Sequence, residues 1–497
     1  MTKRSISIFL VMMMVLTAGT PAYGAEKEVK EEKVAIIESH GNEFEIGTYD
    51  EFLSGNEFNN TIITNSSGDG AITLEKTQGK YPSDGSYISQ EIDVPNFEYM
   101  VASWNSDTPP GTYVEVEARV LVNHFDKNGE PIQTWSEYLS WGQWSPFMAR
   151  KSASRTDTLA KISVDELIIR GSKGETASKV QLRVNLHTDD PATTPVVRYL
   201  HGTLKNTLSG QSIPKVFKDE QDISNLNKNI ETPEFSQMIR DPKTANSICS
   251  PTTITMLMNR MGEKLLPEEV AQNTFDNNYG FGNWAFAMAF ASNYGYKTYV
   301  DYTTIDGLKQ EIAKGYPVGV SVKYSNDPNY TKYPYVEGAP GITGGHLIVV
   351  TGFDTIDGVE YVLVNDSYAP ENETVARKYK LDQFDKAWSN RTAYIVHEKE
   401  PNSGREHTMR IKAELVETDV PGEYQIFVGN ENINVIDFGG SIAYTTDGNT
   451  MEFDQVTYKY FPKVSVNSLT FTEEELKSPH FTLYVITDTG YVYVATK

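Results

Sequence analysis

A single cysteine, Cys249, in 497 residues excludes an intramolecular disulfide, so the fold must rest on core burial, which a chain of this length can supply. Long apolar runs are also scarce. Beyond residues 6–17, no stretch approaches the roughly 20 apolar residues that a membrane-spanning helix needs. Positive charge is in deficit: 44 Lys and Arg against 67 Asp and Glu leave a formal charge of −23. That charge would repel nucleic acid and an anionic membrane surface alike, so neither is expected as a partner. With one cysteine and scattered histidines there is no zinc-ligand spacing, no calcium-loop pattern, and no glycine-rich phosphate loop ending in Gly-Lys-Ser/Thr. No metal and no cofactor is expected.

What the chain does contain is ordered in blocks. The basic stretch Met1–Ser5, the apolar run 6–17 and the small residues Ala22 and Gly24 form a secretory signal over 1–24, which implies a secreted, extracellular protein. A charged lead follows as a linker over 25–34. Across 35–210 the period is that of strands. Val114, Val116, Ala118, Val120 and Val122 alternate with Glu115, Glu117 and Arg119, and Val180, Leu182, Val184 and Leu186 repeat the pattern, which predicts a β-sandwich. Trp104, Trp135, Trp141 and Trp144 fall in this block and are expected mostly in its core rather than on a sugar-stacking platform. The spacing of Trp141 and Trp144 predicts opposite faces of one strand. A polar, irregular linker is placed over 211–230, an α+β domain over 231–400 and a small β-domain over 401–497.

The α+β block holds the chemistry. Cys249 stands just before Pro251, which favours the first helical position, and Gly262 has the place of a helix stop. Ile254, Leu257, Met258 and Met261 recur at i, i+3, i+4 and i+7, which predicts one apolar stripe. A thiol at a helix N-terminus is favoured as thiolate, the nucleophilic form. Such a nucleophile needs an imidazole, and between Glu231 and Tyr394 the one histidine is His346, preceded by Gly344-Gly345 and followed by the apolar strand 347–350. A turn at Asp357-Gly358 leads into a second strand ending in Asn365 and Asp366, either of which can orient the imidazole. Gln237 precedes the cysteine by twelve residues and can donate a side-chain amide to an oxyanion. The irregular stretch 324–343 is expected to form one wall of a cleft.

The blocks Ser236-Gln-Met, Ile248-Cys-Ser-Pro-Thr-Thr, Gly345-His-Leu-Ile-Val-Val and Val364-Asn-Asp-Ser, in that order, resemble the C39-like branch of the papain-like cysteine peptidases over roughly 230–396. The resemblance implies a central α+β papain-like domain flanked by the N-terminal β-sandwich and the small C-terminal β-domain. It implies Cys249 as nucleophile, His346 as general base and acid, Asp366 as orienter and Gln237 as oxyanion donor, with Asn365 an open alternative to Asp366. The expected activity is hydrolysis of peptide amides through an acyl-enzyme, on a peptide or protein substrate. Two alternatives stand beside it: a transpeptidase or cell-wall amidase using the same thiol, with cell-wall peptide or glycan held by the β-domains, or a non-catalytic binding or adhesive protein with an inactive papain-like core.

Overall fold

The computed structural model describes residues 35–496 apart from 67–68, 154, 172–173, 401–409, 434–439, 448–456 and 462–468. The expected signal and the charged lead lie outside the described residues. Ala35–Lys497 form one compact unit. Among the described residues there are four sheets of seven, seven, seven and eight strands, the strands of the first two interleaving along the chain, and no helix is long and apolar enough to cross a membrane.

The two N-terminal sheets are antiparallel. One is built around Tyr99–Asp107 and Val196–Lys205, the other around Thr112–Phe125 and Thr176–Thr188. The alternating valines face inward: Val114, Val116, Val120 and Val122 are fully buried in the same core as Met100, Leu182 and Leu200. Trp104, Trp141 and Trp144 are fully buried as well, and Trp135 lies 4.7 Å beneath the Arg119 guanidinium. The opposite-face expectation for Trp141 and Trp144 fails because the strand Leu139–Trp144 carries a bulge between Ser140 and Gln143, at Gly142 with φ +103°. An extra residue in a strand re-aims the side chains that follow it, so both indoles turn inward.

Packing against this block is a third antiparallel sheet, in the order Tyr296–Tyr302, Thr392–Lys399, Val318–Ser325, Ile342–Ile356, Val359–Asn365, Ala376–Lys380. Its first strand is an edge whose outward N–H groups would be exposed. Side chains of the N-terminal block cap them: Thr298 donates to Asn105 Oδ1 (3.1 Å), Val300 to Ser103 Oγ (2.9 Å) and Tyr302 to Thr203 Oγ1 (2.9 Å). Covering an edge in this way both satisfies buried donors and prevents strand addition. The helix Trp284–Ser292 is apolar all round and buried from Ala285 to Ser292, as its composition predicts. Phe286 meets Trp104 and Trp144 with ring centroids 6.4 and 5.4 Å apart. The buried tryptophans thus join the N-terminal sheets to the third one.

The C-terminal sheet holds Glu423–Val428, Ser441–Thr445, Thr482–Ile486 and Val492–Thr496, and Glu473–Lys477 is a short helix. It is tied to the middle of the chain by Arg410, which pairs with Glu269 at 2.8 and 2.7 Å, and by Ser441 Oγ donating to Asp241 Oδ2 at 2.6 Å.

Candidate active site

Cys249 opens the helix Cys249–Arg260. Pro251 is its third residue rather than its first, because the turns before it already wind the chain: Thr244 and Ala245 both donate to Asp241 O at 2.9 Å, and Ser247 donates to Thr244 O at 2.7 Å. Residues 250–258 are buried throughout, so the expected single stripe is instead a helix enclosed on all sides. Two of its threonines are satisfied within the helix, Thr252 Oγ1 donating to Ile248 O and Thr255 Oγ1 to Pro251 O. No side chain caps the N-terminus, so first-turn N–H groups remain available to an anion. Ser250 Oγ lies 2.8 Å from Tyr394 Oη, fixing this turn to the sheet.

His346 comes from the long strand Ile342–Ile356, opposite Val322. The turn Asp357-Gly358, with φ +51° and +78°, returns the chain into Val359–Asn365, and two positive φ values are what a two-residue hairpin requires. The register pairs Val349 with Asn365. Asp366, one residue on, therefore falls diagonal to His346 on the same face. The geometry bears this out: His346 Nε2 donates to Asp366 Oδ1 at 2.8 Å. With Nε2 committed, Nδ1 is left for the thiol, whose ionised form is favoured by the imidazole and by the N–H groups of Leu347 and Ser250. Asn365 turns away, its amide donating to Thr232 O and Pro233 O at 3.1 Å each, so the carboxylate and not the amide faces the imidazole.

Each group is charged by its neighbours. Burial pushes the Cys249 thiol up, yet the His346 hydrogen bond and charge outweigh it and hold the thiol below its ordinary value. Burial pulls His346 down, but the Asp366 charge and hydrogen bond, followed by those of Cys249, raise it to about 10. Burial opposes ionisation of Asp366, which His346 reverses with help from Tyr379 and Tyr324. The combination is a thiolate–imidazolium pair backed by a carboxylate.

The two tyrosines were not singled out by the sequence. Tyr324 Oη donates to Asp366 Oδ2 at 2.8 Å and Tyr379 Oη to the same oxygen at 2.7 Å, while the Tyr368 N–H donates to Oδ1 at 3.0 Å. Tyr324 and Tyr368 also set their rings edge-on to His346, at 6.1 and 5.9 Å. Strand alternation was the signal that could have found Tyr379, which shares a face with Val362 and hence with Asp366. Tyr324 ends a strand rather than starting a loop.

Tyr379→Phe is expected to destabilise the protein at pH 7 by about 1.5–3 kcal/mol, the worth of a hydrogen bond to a buried charge. Folding lowers the Asp366 pKa, so this stabilisation is present above the unfolded value near ~4 and is lost as pH falls through the folded one. Denaturant titrations should show the wild-type advantage shrinking below pH ~4; an advantage that stays constant would detach the hydroxyl from the charged carboxylate.

The loop between Ser325 and Ile342 folds back on the histidine strand. A Cβ placed on Gly344 would collide with the Tyr333 hydroxyl, whereas at Gly345 it would meet nothing within 4 Å. The wall and the opening thus lie side by side next to His346. Gln237, in a short 3-10 turn, sits on the other flank: its N–H donates to Ser367 O, its Nε2 to Ala245 O and its Oε1 accepts from Ser367 Oγ, each at 2.8 Å.

Residues 223–396, which contain all of these groups, match the model of the Peptidase_C39 like family, and residues 40–204 match that of the Peptidase C39 N-terminal domain. This chain carries a C39-like peptidase domain. The C39-like domain and its matched N-terminal companion together span both of the blocks joined through Phe286. No curated protein matches the chain. Among solved structures, the digestive procathepsin L 3 of Tenebrio molitor larval midgut is 12% identical, with a TM-score of 0.28 over 37% of this chain and 72% of that one. A carbohydrate-binding module of the β-sandwich superfamily is 14% identical, with a TM-score of 0.15 over 36% and 61%. Likeness at that level bears on neither fold nor function. Among the described residues no cluster of His, Cys, Asp and Glu could hold a metal ion.

Proposed function

We propose that the protein is an exported cysteine peptidase whose papain-like core cleaves peptide amides through a covalent acyl-enzyme. The observation that carries this is that the imidazole which holds the Cys249 thiol below its ordinary value has its Nε2 committed to Asp366. Thiolate Sγ attacks the amide carbonyl carbon, and the carbonyl π pair moves onto oxygen. That oxyanion accepts hydrogen bonds from the Cys249 N–H, free of intrahelical partners at the first turn, and from the Gln237 amide. His346 delivers its proton to the departing amine as the C–N bond breaks, then takes one from the water that hydrolyses the thioester. Asp366 holds the imidazole and its charge throughout.

The secretory signal read from the sequence over 1–24 supports export, and a peptide or protein is the partner that the proposed chemistry calls for. The three buried tryptophans of the N-terminal block are unavailable for sugar stacking, so a cell-wall role would have to rest on other residues. The test is cleavage of a peptide library followed by mass spectrometry, with Cys249→Ala as blank. New termini are expected with the wild type alone, at least about 10³-fold above the variant. Equal cleavage by Cys249→Ala would overturn the proposal.

A further inference from the structure

Gln237 has only one arrangement that satisfies its neighbours. Ala245 O is acceptor-only, so it must face the amide nitrogen, at 2.8 Å. Oε1 then faces Ser367 Oγ, also at 2.8 Å, and the hydroxyl must be the donor. The backbone repeats the link, with the Gln237 N–H donating to Ser367 O at 2.8 Å. The side chain is 3% exposed, so water does not substitute for either partner. One amide N–H is left unspent.

We propose that Ser367 is the positioning residue of the oxyanion donor: its hydroxyl locks the Gln237 amide so that the unspent N–H points at the oxygen created when Cys249 attacks. This rests on the peptidase chemistry proposed above, in which Gln237 serves the oxyanion. The terminal torsion of a glutamine is broad and roughly two-fold, so an amide without a fixed oxygen swings readily. A hydroxyl donating to Oε1 also polarises the amide and strengthens its N–H as a donor. Ser367 directly follows Asp366, which orients the imidazole. Neighbouring residues thus set the two halves of the site: Asp366 the proton carrier, and Ser367 the group that receives the negative charge.

Two reactions of the same sulfur separate this role from a merely structural one. Acylation by p-nitrophenyl acetate passes through a tetrahedral oxyanion: the S–C bond forms, the carbonyl pair moves to oxygen, and its return expels p-nitrophenolate. Alkylation by iodoacetamide displaces iodide at a saturated carbon and creates no oxyanion. Ser367→Ala is expected to slow acylation about tenfold, part of the 10²–10³ lost when a donor is removed outright. Alkylation at pH 6 should be unchanged, and Ser367→Thr, which keeps the hydroxyl, should restore acylation. Gln237→Ala should slow acylation at least as much, and the double variant no further.

If Gln237→Ala slows acylation while Ser367→Ala does not, the positioning role falls and the peptidase chemistry stands. If Ser367→Ala slows alkylation equally, Ser367 acts on the thiolate pair and the proposal is overturned. Wild type that shows no acylation above a Cys249→Ala blank would remove the chemistry beneath it as well.

Discussion

His346→Ala should abolish turnover and change the pH dependence of Cys249 alkylation from flat to steep. An ordinary thiol with pKa near ~8.5 is only about 0.3% thiolate at pH 6. In the native pair an imidazolium whose pKa is raised to about 10 holds the thiol below its ordinary value, so the thiolate share at neutral pH exceeds that of a free thiol. A less basic thiolate is a weaker nucleophile, which offsets part of the gain in population, and the net advantage over the variant at pH 6 is about tenfold or more. The pH profile is the stronger discriminator. Wild-type alkylation should be level from mildly acid to mildly alkaline pH, whereas in the variant burial without the charge leaves an ordinary or raised thiol, and the rate should climb about tenfold per pH unit. Turnover should fall by at least about 10³-fold, because the same residue also moves the proton. In the wild type, turnover should be bell-shaped in pH: the acid limb should follow protonation of the thiolate and the alkaline limb loss of the imidazolium proton, both values belonging to the pair. Parallel alkylation profiles for wild type and variant would sink the activated thiolate.

The site was legible where chemistry is concentrated in rare residues. A lone cysteine at a helix start and a lone histidine at a strand mouth leave few pairings to consider, and strand parity then selects Asp366 over Asn365 once the register Val349 to Asn365 is known. That register is set by the Asp357-Gly358 turn, which the sequence does show, together with a bulge between Val350 and Gly352, which it does not; the bulge shifts the pairing by one residue and brings Asp366 rather than Asn365 to the face of His346. Tyr324, Tyr379 and Ser367 were not legible for a simple reason. Tyrosine and serine are abundant, their hydroxyls serve any nearby acceptor, and the acceptor here is brought in from a strand far along the chain.

The alternating valine strands, whose periodicity is strong, appeared where expected, within Thr112–Phe125 and Thr176–Thr188. The uniformly apolar composition of Trp284–Ser292 fits an internal helix. It could not say that the cover would be another block of the chain, because periodicity describes one face of one element and not what lies against it. The bulge at Gly142 escaped for a related reason: an extra residue in a strand is invisible until its partner is known.

Arg150→Ala should unfold the N-terminal block and the C39-like domain together. The guanidinium is 1% exposed and donates to five carbonyls. Those of Ser145, Pro146 and Met148 belong to the N-terminal block, at 3.1, 2.9 and 3.0 Å, while those of Gln272 and Phe275, the latter at 3.3 Å, belong to the end of the helix Pro267–Thr274. A cation there also meets the negative end of that helix. Burial draws its pKa down to about 9, against the pull of Asp276 and Asp488, so it is still charged at pH 7. Alanine removes all five donors at once and leaves buried carbonyls unpaired, which should cost at least about 3 kcal/mol. Lysine should not rescue it, since one ammonium has three donors where the fork has five. Two probes should then move to lower urea together: tryptophan fluorescence, dominated by the buried indoles of the N-terminal block, and protection of Asp366-backed Cys249 reactivity in the C39-like domain. A shift in the first without the second would mean that the two blocks unfold independently, and that the capped edge strand, the Phe286 contact and Arg150 do not bind them into one cooperative unit.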